Sequence, residues 1–509
     1  MITVIVIAIY LGLLLTLALF AKTLFRGTSK DYFVASHSIG PFMLLMSVFG
    51  TTMTAFALVG STGKAFGAGI GTYGLMASSS GLIHAACFLL IGIKLWAIGK
   101  RYGYVTQIQY FRARFDSKAF GYLLFPILVL LVIPYLLIGV IGAAKTIEGV
   151  TKGKAAIPGI RDAIPGVFPE WTANGAIPPW FSGLVICIVV LTYIFAGGSR
   201  AAAWANTFQT IIFMIMGVLA FYLISDRLDG VAAAMDQAKD THKIRTVDGK
   251  AGVSQLTFLT YMFIPLSVGM FPHLFQHWLT AKSAKSFKLT VVAHPICIAI
   301  VWVPCVLIGI WATGQLPAGA NPAAILSIMV AKLVADPLIV GLVTAGILAA
   351  IMSSLDSQFL CLGTMFTNDI VLHNSKKTYT DKQILMMARG FIIAIILIIY
   401  LISLVLLQKE KQHIFELAVW SFSGFAALTP LVFAALYWKR ATKTGAFACV
   451  VTVFASWITL FTMAGFGGEF YVLGGVTPAA IMWFLGAAAM IIGSLMSQPP
   501  RDEVVAKFF

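Results

Sequence analysis

One acidic residue of the sequence lies in the middle of a long apolar segment, among small and hydroxyl-bearing neighbours. Asp356 follows Ala350, Ser353 and Ser354 and is itself followed by Ser357. On a helix, positions 350, 353, 354 and 357 share one face, which a second backbone can approach closely and whose hydroxyls can serve as oxygen ligands. A serine-rich face alone is also typical of helix packing. Packing does not require a carboxylate at membrane depth, so Asp356 indicates a functional site.

The segment from Ser47 to Gly69 is a second unusual feature, because glycine and threonine are dense within an apolar stretch. Both residue types weaken the interior of a helix. In transporters, an unwound backbone of this kind turns its carbonyl oxygens toward a cation in the middle of the bilayer. A hard cation such as Na⁺ takes about five or six oxygen ligands, by analogy with other hard cations. Backbone carbonyls and two serine hydroxyls would therefore suit Na⁺, although a tightly packed helix of small residues explains the same segment.

The composition shows which elements must carry these residues. Of the 509 residues, 60% are hydrophobic and 11% are charged, whereas roughly a quarter of the residues of a soluble domain are charged. This difference excludes soluble enzymes, disordered chains and fibrous proteins. The six cysteines lie singly in apolar stretches without metal-type spacing, and we interpret them as small apolar residues. We interpret the net charge of +16 as Lys and Arg beside membrane spans rather than as a nucleic-acid surface.

Apolar runs of about 20 residues, enough to cross the hydrocarbon core of a bilayer, recur along the chain and predict an all-α polytopic membrane protein with about 13 transmembrane helices. The predicted spans are 1–21, 41–69, 73–99, 119–145, 179–197, 204–225, 257–279, 287–313, 338–368, 385–407, 413–437, 444–466 and 477–496.

The distribution of basic residues predicts the orientation. With the N-terminus outside, most of the 35 Lys and Arg residues fall beside the inner ends of the spans. Most of the others lie in two long loops near 146–178 and 226–256, and long loops cross the membrane largely regardless of charge. We therefore expect an N-terminus outside and a C-terminus in the cytoplasm.

Four stretches, in order along the chain, resemble motifs of the sodium/solute symporter family, which includes bacterial sodium/proline, pantothenate and sodium/galactose symporters. They are residues 31–35 (DYFVA), Gly197-Gly198 with Trp204 and Gln209, residues 349–369 (AAIMSSLDSQFLCLGTMFTND), and residues 435–446 around Arg440. The resemblance covers essentially the whole chain, although Cys449 stands where the family usually has Gly, Ala or Ser.

The resemblance implies a LeuT-type fold, in which spans two to six and seven to eleven form two inverted five-helix repeats. It implies one transmembrane transporter domain over residues 1–509. Residues 1–40 would be an additional helix and loop, residues 41–440 the ten-helix core, and residues 441–509 two C-terminal helices and a short tail.

The resemblance also implies a sodium site, with Na⁺ as the coupling ion. In the family, two backbone carbonyls of the first core helix and a carbonyl and two hydroxyls of the eighth bind sodium. Carried over position by position, the carbonyls are those of Gly50, Met53 and Ala350, and the hydroxyls are those of Ser353 and Ser354. They lie in the two segments that residue types and spacing had already indicated.

One departure from the family pattern concerns a second cation. The Trp-Thr-Asp of the family is Trp204-Ala205-Asn206 here, so the aspartate that some members use for a second sodium is missing. Asp356 occupies a position just past the serine pair, where those members have a hydroxyl. We hypothesise that the carboxylate has moved from position 206 to position 356, with a possible second cation site at Asn206, Asp356 and Ser357. Alternatively, this site is lost and Asp356 is a structural hydrogen-bond partner.

The solute is the least determined part of the prediction. Candidate contacts are Thr52, Thr54 and Phe56 at the predicted break, Ser79 and Ser80 in the third span, and Trp420, Phe422 and Ser423 in the eleventh. Each of these can equally serve packing. Residues 269–278 faintly resemble the pantothenate and monocarboxylate branch of the family, which favours a small carboxylate-bearing solute.

Together these features predict a secondary active transporter and not an enzyme: sodium-coupled symport of a small organic solute, a monocarboxylate or other carboxylate-bearing compound, into the cell by alternating access. The expected location is the plasma (bacterial inner) membrane. The expected partners are the solute and membrane lipid, without nucleic acid, and the expected functional unit is a monomer.

The sequence leaves three alternatives to this function. A proton-coupled symporter would use Asp356 as the carrier. A transporter-like membrane sensor is disfavoured by the short tail after Met496. A membrane enzyme would need clustered histidines and acids, whereas His84, His273, His277 and His294 are dispersed in the sequence.

Overall fold

The computed structural model describes residues 2–23, 25–76, 79–151, 176–243, 246–247, 251–408 and 414–509. Much of the predicted loop 146–178, and parts of the loop 226–256, lie outside these ranges, as do single residues of spans 1–21 and 413–437. The described chain is almost entirely helical. It contains one small antiparallel hairpin, Thr246–Val247 with Ala251–Gly252.

Helices coincide with every predicted span, and the all-α polytopic prediction is confirmed. Nine helices in the described ranges are long and apolar enough to cross a membrane: Gly71–Tyr102 (of which 77–78 are not described), Lys118–Thr151, Pro179–Arg227, Ala284–Gln315, Pro337–Leu372, Asp381–Leu407, Ile414–Tyr437, Lys443–Met463 and Pro478–Leu495. The N-terminal helix spans Ile2–Thr23. Shorter helices are Ser29–Val34, Ala35–His37, Gln107–Arg114, Gly230–Gln237, Asp240–Lys243, Pro322–Val334 and Asp502–Phe508.

Side-chain chemistry explains where helices begin and which faces they expose. Proline, which lacks the N–H that a helix start leaves unpaired, occupies the first position of several of them, namely Pro41, Pro179, Pro272, Pro337 and Pro478. Large apolar side chains such as Leu82, Val292 and Val405 are more than 60% exposed. A bilayer solvates such surfaces, so these faces border lipid.

Two spans are broken rather than continuous. The first broken helix consists of Pro41–Thr52 and Phe56–Ala68, bent by 54°, and the second of Gln255–Gly269 and Pro272–Thr280, bent by 49°. The dense glycine and threonine of residues 47–69 indicated the first break. The second was not predicted, although Gly269 and Pro272 flank it. A broken helix thus begins each of the two predicted repeats.

Residues Pro179–Arg227, which we call the long helix, form two helical segments on either side of a kink at Gly198, and these segments match the predicted spans 179–197 and 204–225. Gly198 has φ 55° and ψ −137°, which side-chain-bearing residues rarely adopt. The backbone carbonyl of Tyr32 would lie 2.4 Å from a Cβ added at this glycine. The kink therefore needs glycine both for its conformation and for the close approach of residues 31–35.

An ion pair fixes the same contact between residues 31–35 and the long helix. Arg200 Nη2 lies 2.6 Å from Asp31 Oδ1, and the carboxylate is buried. Burial raises the pKa of Asp31, but hydrogen bonds from Arg200, the Arg26 backbone N–H and Ser36 lower it more, so the pKa lies below the ordinary 3.8. Two stretches that resemble family motifs thus pack directly on each other.

The N-terminal helix packs against the long helix and against Pro337–Leu372, which we call the serine helix. Thr3 Oγ1 donates to the carbonyl of Pro337 at 2.8 Å, and Val6 lies where a side chain at Gly341 would be. Tyr10 is buried beside Gln209 and near Asp356. This helix covers the face where the long helix and the serine helix meet.

Candidate functional site

The end of the first half of the first broken helix meets the middle of the serine helix. Ser353 Oγ lies 2.7 Å from the carbonyl oxygen of Gly50 and 2.9 Å from that of Ala350. Met53 ends the half-helix in an extended conformation, with φ −89° and ψ 97°. Ser354 Oγ donates to the carbonyl of Ile351 at 2.8 Å, on its own helix. The structure therefore brings the oxygens of Gly50, Ala350 and Ser353 together.

Gly50 permits this close approach. A Cβ at position 50 would lie 2.3 Å from Thr210 Oγ1 of the long helix and 3.7 Å from the Cβ of Ser353. Thr210 itself donates to the carbonyl of Met46 at 3.0 Å. Three helices thus meet at a point where a methyl group does not fit without a shift.

Asp356 lies about one turn beyond Ser353 on the serine helix, in a layer with Asn206 and Ser357, and is fully buried. With the Asn206 amide turned toward it, Nδ2 lies 3.2 and 3.1 Å from the two carboxylate oxygens and 3.1 Å from the carbonyl of Ser353. Ser357 Oγ lies 2.9 Å from Asp356 Oδ1 and 2.9 Å from His277 Nε2. The structure therefore brings together all three residues of the predicted second cation site.

His277 is a neighbour of Asp356 and Ser357 that was not predicted from the sequence. It belongs to the second half of the second broken helix, and its contact with Ser357 depends on a break that was not predicted. Asp356 has no ion-pair partner among the residues that the structure describes. Its charge would thus rest on hydrogen bonds from neutral groups.

A cavity adjoins the first break, with about 420 Å³ of empty space if the space at its open side is included. Polar side chains on its wall are those of Thr52, Ser80, His84, Tyr135 and Ser267, and the apolar and aromatic residues are Phe56, Leu75, Met76, Tyr261, Ile264, Pro265, Val268, Phe271, Trp302 and Phe422. None of the described residues lining it is Asp, Glu, Lys or Arg. Its chemistry suits a small solute with an apolar body and few polar groups.

Four of the eight predicted solute contacts line this cavity: Thr52, Phe56, Ser80 and Phe422. Thr54 does not, and its Oγ1 instead accepts the backbone N–H of Phe56 at 3.0 Å. Ser79, the neighbour of Ser80 within Gly71–Tyr102, is also outside the lining. Trp420 and Ser423 line a neighbouring cavity with Lys64 and Glu416.

Five further lining residues were not predicted from the sequence, namely His84, Tyr135, Ser267, Phe271 and Trp302. They come from helices whose relative placement no short motif encodes. The histidines are dispersed in the sequence but partly paired in the structure, since His84 Nδ1 lies 3.1 Å from His294 Nε2. No group of three or more His, Cys, Asp or Glu side chains that could hold a metal ion occurs in the described ranges.

Two ion pairs of Lys64 lie at the wall of the neighbouring cavity. Lys64 Nζ lies 3.1 Å from Glu416 Oε1 and 2.8 Å from Glu469 Oε1. Tyr261 lines both cavities. The Lys64 pairs therefore join the second half of the first broken helix to Ile414–Tyr437 and to the segment before Pro478, next to the solute cavity.

Comparison with known proteins identifies the family of this chain. The model of the sodium:solute symporter family matches residues 32–152 and 181–452. The chain is 22% identical to the sodium/proline symporter of Escherichia coli (strain K12), over 94% of this chain and 90% of that one. It is 25% identical to the osmoregulated proline transporter OpuE of Bacillus subtilis (strain 168), over 84% of this chain and 83% of that one.

Solved structures show the same fold. The structure of a Na⁺-coupled sialic acid symporter matches with a TM-score of 0.77 at 19% identity, covering 98% of this chain and 99% of that one. Mhp1, a nucleobase-cation-symport-1 family transporter, matches with a TM-score of 0.52 at 14% identity, covering 93% and 97%. The expected LeuT-type fold is therefore confirmed. The chain belongs to the sodium:solute symporter family and is a sodium-coupled solute symporter, not an enzyme.

Proposed function

We propose that this symporter takes up a small carboxylate-bearing organic solute by alternating access, with Na⁺ bound at Gly50, Met53, Ala350, Ser353 and Ser354. The contact of Ser353 Oγ with the Gly50 and Ala350 carbonyls, at 2.7 and 2.9 Å, carries this proposal. It brings one hydroxyl oxygen and two carbonyl oxygens together beside the break of the first broken helix. Oxygen atoms of this kind are the ligands that a hard cation prefers.

In this mechanism, sodium offsets the cost of closing the first broken helix against the serine helix. Thr52 lies between Gly50 and Met53 in the chain and also lines the solute cavity. Closure at the cation therefore shapes the wall that meets the solute. The membrane potential contributes about 2.3 kcal/mol per charge per 100 mV, and each tenfold sodium gradient about 1.4 kcal/mol.

The test is uptake into proteoliposomes of labelled L-proline, pyruvate and D-glucose, with sodium outside replaced by potassium at fixed pH. We expect uptake of L-proline or pyruvate that requires sodium. Uptake that is the same in potassium would refute sodium coupling, and sodium-dependent uptake of glucose alone would refute the carboxylate-bearing solute.

A second candidate, proton-coupled symport, is favoured by one observation: Asp356 is fully buried with no ion-pair partner in the described chain. A proton could neutralise this carboxylate where a second cation would otherwise do so. Uptake that a pH gradient drives without sodium, and that Asp356→Asn abolishes, would support this candidate over the cation site at Asn206, Asp356 and Ser357.

For the location we propose the plasma (bacterial inner) membrane, with the N-terminus outside, the C-terminus in the cytoplasm, and the monomer as the functional unit. Asp240 and Lys377 are both exposed in the structure, so a reagent on the same side of the membrane can reach a cysteine at either position. All six native cysteines are buried. In a cysteine-free background, we expect an impermeant thiol reagent outside intact cells to label Asp240→Cys but not Lys377→Cys, and the opposite pattern would reverse the orientation.

A further inference from the structure

The His84–His294 pair is the one hydrogen-bonded pair of ionisable side chains at the wall of the solute cavity in the described chain. His84 is 7% exposed and lines the cavity, whereas His294 is fully buried behind it. His84 Nδ1 lies 3.1 Å from His294 Nε2. This contact occupies one nitrogen of His84 and leaves Nε2 as the nitrogen available to a solute.

The surroundings of His294 determine which ring donates. His294 Nδ1 is buried and has no hydrogen-bond partner among the described residues. If His84 donated to His294, the proton of neutral His294 would sit on Nδ1, and a buried N–H would be left without an acceptor. Buried donors without partners are rarer and less tolerated than buried acceptors without partners. We infer that His294 Nε2–H donates to His84 Nδ1, which puts the proton of His84 on Nε2.

His294 is held in this orientation by two aromatic rings. Its ring meets Phe88 edge-on at 4.9 Å and Phe49 edge-on at 5.5 Å between centroids. Phe49 precedes Gly50 of the proposed sodium site. His294 therefore acts as a positioning residue that fixes the tautomer of His84 from outside the cavity.

The rest of the cavity indicates which acceptor His84 meets. The second half of the first broken helix begins at the cavity wall with Phe56, and the start of a helix carries partial positive charge. Thr54 already accepts at this start, through Oγ1 from Phe56 N and through its carbonyl from the N–H groups of Ala57 and Leu58. The start of this helix therefore attracts a negatively charged group, but the N–H groups of Phe56, Ala57 and Leu58 are already bonded to Thr54. The hydrogen bond to the charged group is thus left to a side chain.

We propose that His84 Nε2–H donates a hydrogen bond to the carboxylate of a small solute whose compact apolar body fills the aromatic part of the cavity. This assignment rests on the proposed function and deepens it, because it names the residue that recognises the carboxylate. The absence of acidic residues from the described lining fits an anionic group, and the aromatic walls disfavour a polyhydroxylated sugar.

The first experiment needs no variant. In wild-type proteoliposomes with a sodium gradient, uptake of labelled L-proline is competed by L-proline or L-prolinol, and uptake of pyruvate by pyruvate or hydroxyacetone. Each pair differs in the carboxylate. We expect the acid to compete at a concentration about tenfold or more below that of the matching alcohol, because the alcohol loses the hydrogen bond between the protein and the charged carboxylate. Equal competition overturns the proposal.

The second experiment compares variants with the acid that is transported. His84→Leu should raise KM about tenfold or more, whereas His84→Gln, which keeps N–H donors, should recover much of the wild-type KM. His294→Leu should raise KM several-fold at unchanged maximal rate. His373→Leu is the matched control, because His373 lies outside the cavity lining, and its KM should not change.

The outcomes separate this proposal from the function on which it rests. Sodium-dependent uptake with an unchanged KM in His84→Leu overturns the role of His84 and leaves symport intact. Sodium-dependent uptake of D-glucose alone overturns the solute class. Loss of sodium dependence in the wild type overturns the proposed function itself. If neither His84 variant folds, equal competition in the wild type still overturns the proposal, and the KM of His294→Leu still tests the His84–His294 pair.

Discussion

Removal of the Ser353 hydroxyl is the most direct test of the sodium site. In the structure, this one oxygen contacts carbonyls on two different helices, Gly50 at 2.7 Å and Ala350 at 2.9 Å. Ser353→Ala therefore deletes one of about five oxygen ligands of the proposed site. It adds no bulk, so the packing of the first broken helix on the serine helix should persist.

The magnitude follows from the value of a hydrogen bond or ligand contact to a charged group, about 1.5–3 kcal/mol. With about 1.4 kcal/mol per tenfold change in affinity, the sodium concentration for half-maximal uptake should rise roughly ten- to hundredfold. The maximal rate at saturating sodium should change much less. The assay is solute uptake into proteoliposomes over a range of sodium concentrations, with choline keeping the ionic strength constant. Ser354→Ala should shift the same curve in the same direction.

The matched control is Ser403→Ala. Ser403 is also a fully buried serine in a membrane helix, and its Oγ donates to the carbonyl three residues earlier, that of Tyr400, at 2.7 Å. Because it lies away from the break, its loss should leave the sodium dependence unchanged. Wild-type sodium dependence in both Ser353→Ala and Ser354→Ala, or an equal shift in Ser403→Ala, would refute the reasoning.

Three further predictions concern neighbouring features. Gly50→Ala should lower the melting temperature and uptake, because overpacking costs about 1–3 kcal/mol, whereas Gly217→Ala, with open space at the Cβ position, should not; equal melting temperatures would contradict this. Asp356→Ser should impair uptake, and adding Asn206→Asp should recover part of it; a double variant no better than the single one would reject an exchange of the carboxylate between these contacting positions. Asp31→Asn should lower the melting temperature at neutral pH. Because the pKa of Asp31 in the folded protein lies below 3.8, its carboxylate stabilises the fold above pH 3.8, and this stabilisation is lost as the pH falls through the folded-state pKa. The melting temperatures of the wild type and Asp31→Asn should therefore converge in acid. A difference that stays constant with pH would argue against the Arg200 ion pair.

The helical architecture was largely predictable because each span must be long and apolar to satisfy its backbone in lipid. The first break was also predictable, since glycine and threonine cluster there. The second break at Met270 and Phe271 was not, because only Gly269 and Pro272 mark it. The division between spans 179–197 and 204–225 was predictable as well, and the kink at Gly198 lies between them.

The cation residues were predictable to a greater extent than the solute residues. Helical spacing sets Ser353, Ser354 and Ser357 on one face, so the sequence encodes their relation locally. The solute cavity instead collects single residues from several helices, and His84 becomes notable only when His294, which is 210 positions away, lies beside it. Such a contact depends on helix packing that no local pattern specifies.

The N-terminal helix, which precedes the ten helices of the proposed core, has a consequence for the electrical environment of the transport path. Tyr10 covers the buried layer that contains Gln209, Asn206 and Asp356. Lipid tails offer no hydrogen bonds, so a carboxylate facing them would draw water and ions into the bilayer. The helix thus insulates Asp356 from the hydrocarbon. A relative without this helix could retain the site at Gly50 and Ser353, but it would need another cover before it could carry an acid at position 356.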